Sequence, residues 1–354
     1  MDAQALKVAL LGYGRIARLV HLGVLTALPD VELVAVAEPD PERRAEARAR
    51  APNARSCERY EQALDVPGVE AVVVCLPNDL HADAAVAALE LGKHLYLEKP
   101  LATSLDDGRR VVAAWRRAGV VAMMGFNYRA HPLYEAAREH IRSGRLGDLV
   151  AVRTALASPP RDLPPWKRRR ATGGGALLDK ASHGVDLVRH LIGDEVREVL
   201  ALLRTQHTEE DTAALQLRLG GGLLVQSLFS VGAAEDDRLE VYGSAGKLTV
   251  DRHESLALEL SGAARGRRLA ATRRELGALA GGTYALGKLR RPQVEPSYAI
   301  ALARFAAAAR ANRPATPDLV DGLRSLAVIE AAEESARTRR AVAPSVVGAD
   351  PVLA

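Results

Sequence analysis

Lys99 follows a short apolar run, His94-Leu95-Tyr96-Leu97, and stands between Glu98 and Pro100. The run has the character of a buried strand, and proline cannot continue its ladder, so the lysine falls at the strand's carboxyl edge. Open α/β sheets place their chemistry at that edge, and an ammonium there can polarise a carbonyl or hydroxyl oxygen. Taken alone, Glu98-Lys99-Pro100 reads as an ion pair closing a surface loop. Asp179 and His183 form a second candidate: four residues apart in a helical stretch, they share a face. A carboxylate beside an imidazole orients it and raises its pKa, which suits proton exchange near neutral pH. On an isolated helix the same pair is an ordinary surface contact.

The elements around these residues give them a setting. An apolar run over 6–11 feeds into Gly12-Tyr13-Gly14-Arg15-Ile16-Ala17, followed by helical spacing to residue 28. Strand, glycine turn and helix in this order form the opening unit of a dinucleotide fold, with the helix N-terminus facing the phosphates. Gly12 permits the tight turn, Gly14 lets the backbone approach a pyrophosphate, and Ala17 allows close helix–strand packing. A second strand over 31–37 ends in Glu38, where a carboxylate accepts from ribose hydroxyls and repels a 2'-phosphate. NAD is therefore favoured, with NADP the alternative because Arg43 and Arg44 lie beside that carboxylate.

Further strands are expected over 71–76, 94–97 and 120–124, and helices over 82–91 and 111–118. The β/α alternation ends there, which divides the chain into a dinucleotide domain over 1–124 and a second domain over 125–354. In the second, short alternating segments separated by glycines predict a largely antiparallel sheet. They span 149–155, 197–203, 213–219, 223–230, 238–242 and 247–250. A helix over 176–191 interrupts them, 265–291 reads as a basic, glycine-rich loop, two helices span 298–311 and 319–338, and 341–347 is extended.

Composition is that of an ordinary globular protein of about two domains: 354 residues, 48% hydrophobic, 26% charged, formal net charge +4. The basic clusters at 167–170, 265–268 and 288–291 lack interleaved aromatics and read as solvated faces or loops, not a nucleic-acid surface. Cys57 and Cys75 have no metal-ligand spacing, so no metal site is expected, and a reducing cytoplasm fits them. No apolar stretch approaches the roughly 20 residues of a membrane span.

In order and spacing the chain resembles the Gfo/Idh/MocA oxidoreductases, the family of glucose-fructose oxidoreductase and inositol 2-dehydrogenase. The residues that carry the resemblance are the turn from Gly12 to Ala17, Glu38, Pro77-Asn78 with His81, and Glu98-Lys99-Pro100. Gly125-Phe126-Asn127-Tyr128-Arg129, the run from Gly173 through Asp179 and His183 to Asp186, and the closing Asp321-Gly322-Leu323 with 330–337 complete the set. The resemblance implies a Rossmann domain holding NAD(P) and a second domain whose open sheet pairs with another subunit as a homodimer or homotetramer. It implies hydride transfer at a CH–OH or ketone carbon of a sugar, cyclitol or polyol, as in secondary-metabolite sugar assembly. In that reading Lys99 touches nicotinamide and the reacting hydroxyl, while His183, backed by Asp179, exchanges the proton. Glu98 holds Lys99, the glycine turn with Tyr13, Arg15 and Ile16 binds the dinucleotide, and Pro77, Asn78 and His81 line its pocket. Asn127 borders the substrate; Arg129 is either a ligand contact or a structural ion pair.

Two features depart from the pattern. Lys180 stands where many members carry an apolar residue, and it either adds a cation beside the substrate or points to solvent. Trp166 with Lys167 precedes the glycine run, where the Trp stacks on a sugar face or merely packs. His190 reads as a core or surface histidine; spacing alone assigns no role to His21 or His131. Two other functions share the fold: a non-catalytic dinucleotide-binding regulator, and a glycoside hydrolase that uses its NAD transiently.

Overall fold

The computed structural model describes residues 5–262, 282–291 and 294–345. Its first sheet is parallel throughout: β1 (Leu6–Leu11), β2 (Val31–Ala37), β3 (Arg55–Cys57), β4 (Ala71–Val74), β5 (His94–Leu97) and β6 (Ala122–Met124). The spatial order β3-β2-β1-β4-β5-β6 reverses between β1 and β4, the switch point at which such sheets open a ligand crevice. Strands this apolar are expected to be covered on both faces, and every residue of β4 is buried.

The helix expected over 17–28 is wound as a π turn at Ala17–His21 before α1 (Leu22–Ala27). Helix α2 (Pro41–Arg50), strand β3 and helix α3 (Tyr60–Leu64) are not legible as periodic patterns; α2 buries only Ala47 and so carries no apolar stripe. After α4 (His81–Glu90), α5 (Leu105–Ala118) begins well before residue 111. Its first turn is polar and invisible to apolar spacing, but Ser104 caps it by accepting from Asp107 N at 3.1 Å.

Helix α6 (Pro132–Arg142) leads into the second sheet: β7 (Leu149–Ala157), β8 (Val196–Arg204), β9 (Thr212–Leu219), β10 (Leu224–Ser230), β11 (Asp236–Gly243), β12 (Gly246–Asp251) and β13 (Glu259–Gly262). The order is β13-β12-β11-β7-β10-β9-β8, with β7 and β10 parallel and every other neighbouring pair antiparallel. The expected helix over 176–191 opens as a π turn, Leu177–Ala181, and continues as α7 (Ser182–Ile192).

The loop expected over 265–291 contains a helix, α8 (Gly282–Arg290); its earlier part, with the basic cluster 265–268, lies outside the described residues. Helix α9 (Pro296–Arg310) returns to the first sheet, where Leu302 and Phe305 share a core with Leu10 of β1 and Leu22 of α1. A division at 124 therefore does not leave two self-contained units, because a late helix completes the early core. Helix α10 (Leu319–Thr338) follows, and Val342 bridges to Val199 of β8 within the stretch expected to be extended, whose last two residues lie outside the described ones.

Candidate active site

The glycine turn between β1 and the first π turn is backbone-determined. Gly12 has φ +94°, and a Cβ there would stand 2.7 Å from the carbonyl oxygen of Cys75 on the neighbouring strand. At Gly14 a Cβ would meet nothing within 4 Å, so the space before the helix N-terminus is open. Tyr13 turns its ring into the core and gives its N–H to Glu38 Oε2 at 2.9 Å; its hydroxyl receives a bond from Arg50. Glu38 Oε1 accepts from Asp40 N at 3.0 Å and pairs with Arg43 at 2.9 Å. A carboxylate offers about four acceptor sites. Three are filled, which leaves one on Oε2 for a hydroxyl. Arg44 bonds the carbonyl oxygens of Glu38 and Pro39, fixing the turn. An open, glycine-lined cradle with a spare carboxylate acceptor fits the phosphates and ribose of a dinucleotide. Pro77 is half-buried in the turn after β4, and Arg15 and Ile16 follow the glycines, Arg15 exposed and Ile16 half-buried.

Lys99, at the end of β5, crosses to the second half of the chain. Its ammonium donates to Asp179 Oδ1 at 3.0 Å and to the Asp179 carbonyl oxygen at 2.5 Å. Lys167 donates to the same Oδ1 at 2.9 Å. Burial alone would raise the Asp179 pKa, but Lys167 and Lys99 override it and hold the carboxylate well below its usual range. Burial lowers Lys167, with Asp179 opposing. Asp179 Oδ1 is thus taken by two lysines, and the carboxylate makes no hydrogen bond to His183.

That corrects the expected Asp179–His183 pairing and its consequence. His183 stacks on Tyr128, ring centroids 4.5 Å apart at 15°, and its Nδ1 is buried without a partner. Burial, then Lys99, push its pKa well below the ordinary value, with Asp179 opposing too weakly to raise it. The imidazole is neutral at neutral pH, able to accept a proton.

The other expected residues divide. Glu98 does not bond the Lys99 ammonium; it accepts from the Lys99 N–H at 3.3 Å, while Oε1 meets His21 Nε2 at 2.7 Å. His21, to which spacing assigned no role, is fully buried, meets this carboxylate and packs its ring edge-on to Tyr96 and Tyr298. His81 does not line a pocket: it is buried with Nδ1 2.7 Å from the Pro100 carbonyl and Nε2 3.0 Å from that of Leu76. Asn78 is a latch between the two halves, its amide donating to Gly173 O at 2.8 Å, where a Cβ on Gly173 would collide with it. Asn127 donates to Ser297 Oγ at 2.6 Å and leaves Oδ1 buried and unpartnered. Arg129 is the structural ion pair: it bonds Asp186 at 2.5 Å and Asp321 at 2.9 Å, away from Lys99. Trp166 is half-buried beneath the Lys167 ammonium, 5.3 Å from its ring. Lys180 is half-buried beside Asp179. His190, half-buried on α7, gives its carbonyl to Arg138.

Residues that motif reading did not single out complete the floor of the site. Asp237 accepts from the hydroxyls of Tyr128 and Tyr134, both at 3.1 Å, and pairs with Arg252 at 2.6 Å. An aspartate on the inward face of β11, in step with apolar Leu239 and Val241, was the available signal. In the basic run 167–170, Arg168 and Arg169 stay exposed, Arg168 in a surface pair with Asp162, while half-buried Arg170 pairs with Glu333.

Residues 6–126 match a family model described as an oxidoreductase family with an NAD-binding Rossmann fold, and residues 134–249 match the GFO/IDH/MocA C-terminal domain. The 1,5-anhydro-D-fructose reductase of Ensifer adhaerens is 33% identical over 248 residues, 68% of this chain and 74% of that protein. The dTDP-3,4-didehydro-2,6-dideoxy-alpha-D-glucose 3-reductase of Streptomyces violaceoruber is 32% identical over 252 residues, 70% and 73% of the two chains. A levoglucosan dehydrogenase solved with NADH and levoglucosan shares the fold, with a TM-score of 0.83, 24% identity and coverage of 97% of this chain and 100% of that one.

Proposed function

The chain belongs to the Gfo/Idh/MocA oxidoreductases, and on that premise we propose that it interconverts a secondary alcohol and a ketone on a sugar, cyclitol or polyol. The observation that carries the reading is the meeting of Lys99, from the carboxyl edge of the first sheet, with Asp179 on the helix of the second. NAD, when bound, supplies the hydride acceptor or donor. Gly12, Gly14 and Glu38 hold it at the edge of β1 and β2, with Arg15, Ile16 and Pro77 around it. Lys99 holds the reacting oxygen by donating a hydrogen bond that strengthens as negative charge grows there. Asp179 and Lys167 keep that ammonium aimed, and neutral His183 takes the proton in oxidation and returns it in reduction. Asn127, through its unpartnered Oδ1, and Trp166 border the substrate.

Exposed Leu200, Leu202, Leu224 and Leu228 on the outer face of the second sheet support pairing with another copy through that face, as homodimer or homotetramer. The two unpaired, buried cysteines support a reducing, cytoplasmic setting. No described helix is long and apolar enough to cross a membrane.

The deciding experiment incubates the purified protein with NAD and a panel of sugars and cyclitols and follows nicotinamide absorbance. A change in proportion to product is expected. Product without net absorbance change would indicate hydrolysis by transient redox, and dinucleotide binding with no product a regulator.

A further inference from the structure

Lys180 lies in the π turn Leu177–Ala181, directly after the aspartate that meets Lys99. It is half-buried, yet among the described residues no carboxylate, carbonyl or hydroxyl bonds its ammonium. The carboxylates that face it are committed elsewhere: Asp179 Oδ1 is shared by Lys99 and Lys167, and Asp237 is held by Arg252. Arg161 acts electrostatically on Lys167 and Lys180, and likewise on Arg15 of the glycine turn. Lys99 and Lys167 share Asp179 Oδ1 and Lys180 follows Asp179 in the chain, so three lysines meet at this acid and the site keeps a surplus of positive charge. Burial pushes the Lys180 ammonium down to about 8; Asp179 opposes this, and Lys99 and Arg161 add to it. A partly desolvated ammonium with no bonded partner is costly, and an anion that bonds it recovers part of that cost. The dinucleotide phosphates belong to the glycine turn at β1, separated by β4 from the strand that carries Lys99.

We propose that the substrate carries an anionic oxygen group, a carboxylate or a phosphate, and that Lys180 is its counter-ion, with Lys167 in support. The proposal rests on the assignment of the Lys99–Asp179 site as the catalytic one. A lysine suits this task because it binds either anion as a compact point charge, without the planar geometry that an arginine imposes.

The test compares wild type, Lys180→Met and Lys180→Arg with matched pairs that differ in one charged group. Glucose against glucuronate is the carboxylate arm, and myo-inositol against myo-inositol 1-phosphate is the phosphate arm. In one arm the wild type is expected to favour the charged member at least tenfold in kcat/KM, carried by KM. That ratio should fall at least tenfold in Lys180→Met and be kept in Lys180→Arg. A wild-type preference for the neutral member in both arms, or a charge preference that survives in Lys180→Met, overturns the proposal and leaves the oxidoreductase reading intact. If no member is turned over, the same pairs are titrated into the NADH complex and followed by NADH fluorescence. Charge-dependent binding lost in Lys180→Met then supports the proposal, and binding that is absent or indifferent to charge overturns it. Failure to bind NADH overturns the underlying assignment.

Discussion

The ammonium of Lys99 lies 3.0 Å from Oδ1 of Asp179 and 2.5 Å from its carbonyl oxygen, across 80 residues of chain. Lys167 completes the arrangement by bonding the same carboxylate oxygen. The contact joins the parallel sheet to the helix of the second domain, so formation of the site and docking of the two halves are one event.

Replacing Lys99 with Ala should lower turnover by roughly a hundred- to a thousandfold, the cost of losing one preorganised donor to a developing oxyanion. NADH affinity, read by fluorescence titration, should stay within about tenfold, since the glycine turn and Glu38 stand on other strands. Unchanged turnover would remove Lys99 from the reaction.

Glu38→Ala should weaken NAD by about 1–3 kcal/mol, the cost of an unmade buried hydrogen bond to a charged group, and weaken NADP less. Arg43, released from its 2.9 Å pairing with Glu38, becomes available to a 2'-phosphate. Calorimetric titration of both dinucleotides measures the ratio; equal losses would place the ribose elsewhere.

Arg129→Met should destabilise the fold by up to about 3–5 kcal/mol, because buried Asp186 and half-buried Asp321 lose the nearer of the two cations they share and keep only Arg189, at 3.6 and 3.7 Å. Substrate KM should not move with it. Denaturant melts and steady-state kinetics on the same preparation separate the two, and a raised KM at undiminished stability would return Arg129 to the ligand.

His131 sets an acid limit. Burial holds its pKa down to about 4, with Glu295 opposing, while its Nδ1 caps α6 by accepting from Leu133 N at 3.2 Å. The unfolded chain protonates near 6.5, so between about 6.5 and 4 it takes a proton that the native state refuses. This contribution is whole above pH 6.5 and is lost as pH falls towards 4, about 3 kcal/mol in all. His131→Asn keeps a cap acceptor without titrating, and its stability–pH curve from denaturant melts should be flatter over that window. An unchanged slope would assign the acid limit to other groups.

Much of the fold was legible because its signals are local. The β1 run, the glycine turn and Glu38 lie within a few dozen residues, and the alternation of β9 and β10 matches the period at which a half-buried sheet presents side chains. Polar first turns and stripe-free helices such as α2 left no such trace.

The sequence by itself determined the dinucleotide turn, the lysine at a strand end and the kinds of side chain that would do the chemistry, since each depends on neighbours in the chain. It did not determine which groups those side chains would meet. Pairing Asp179 with His183 assumed α-helical winding, but Asp179 lies in a π turn that bonds i to i+5, and Lys99, 80 residues away, and Lys167, 12 residues away, reach its carboxylate instead. Tertiary packing likewise drew Arg129 to Asp321, 192 residues away, and set His183 against Tyr128. Lys180 owes its lack of a bonded partner to the same packing: beyond its neighbour Asp179, the charges that act on it, Lys99, Arg161 and Asp237, arrive from three separate parts of the chain that only the folded structure brings within reach.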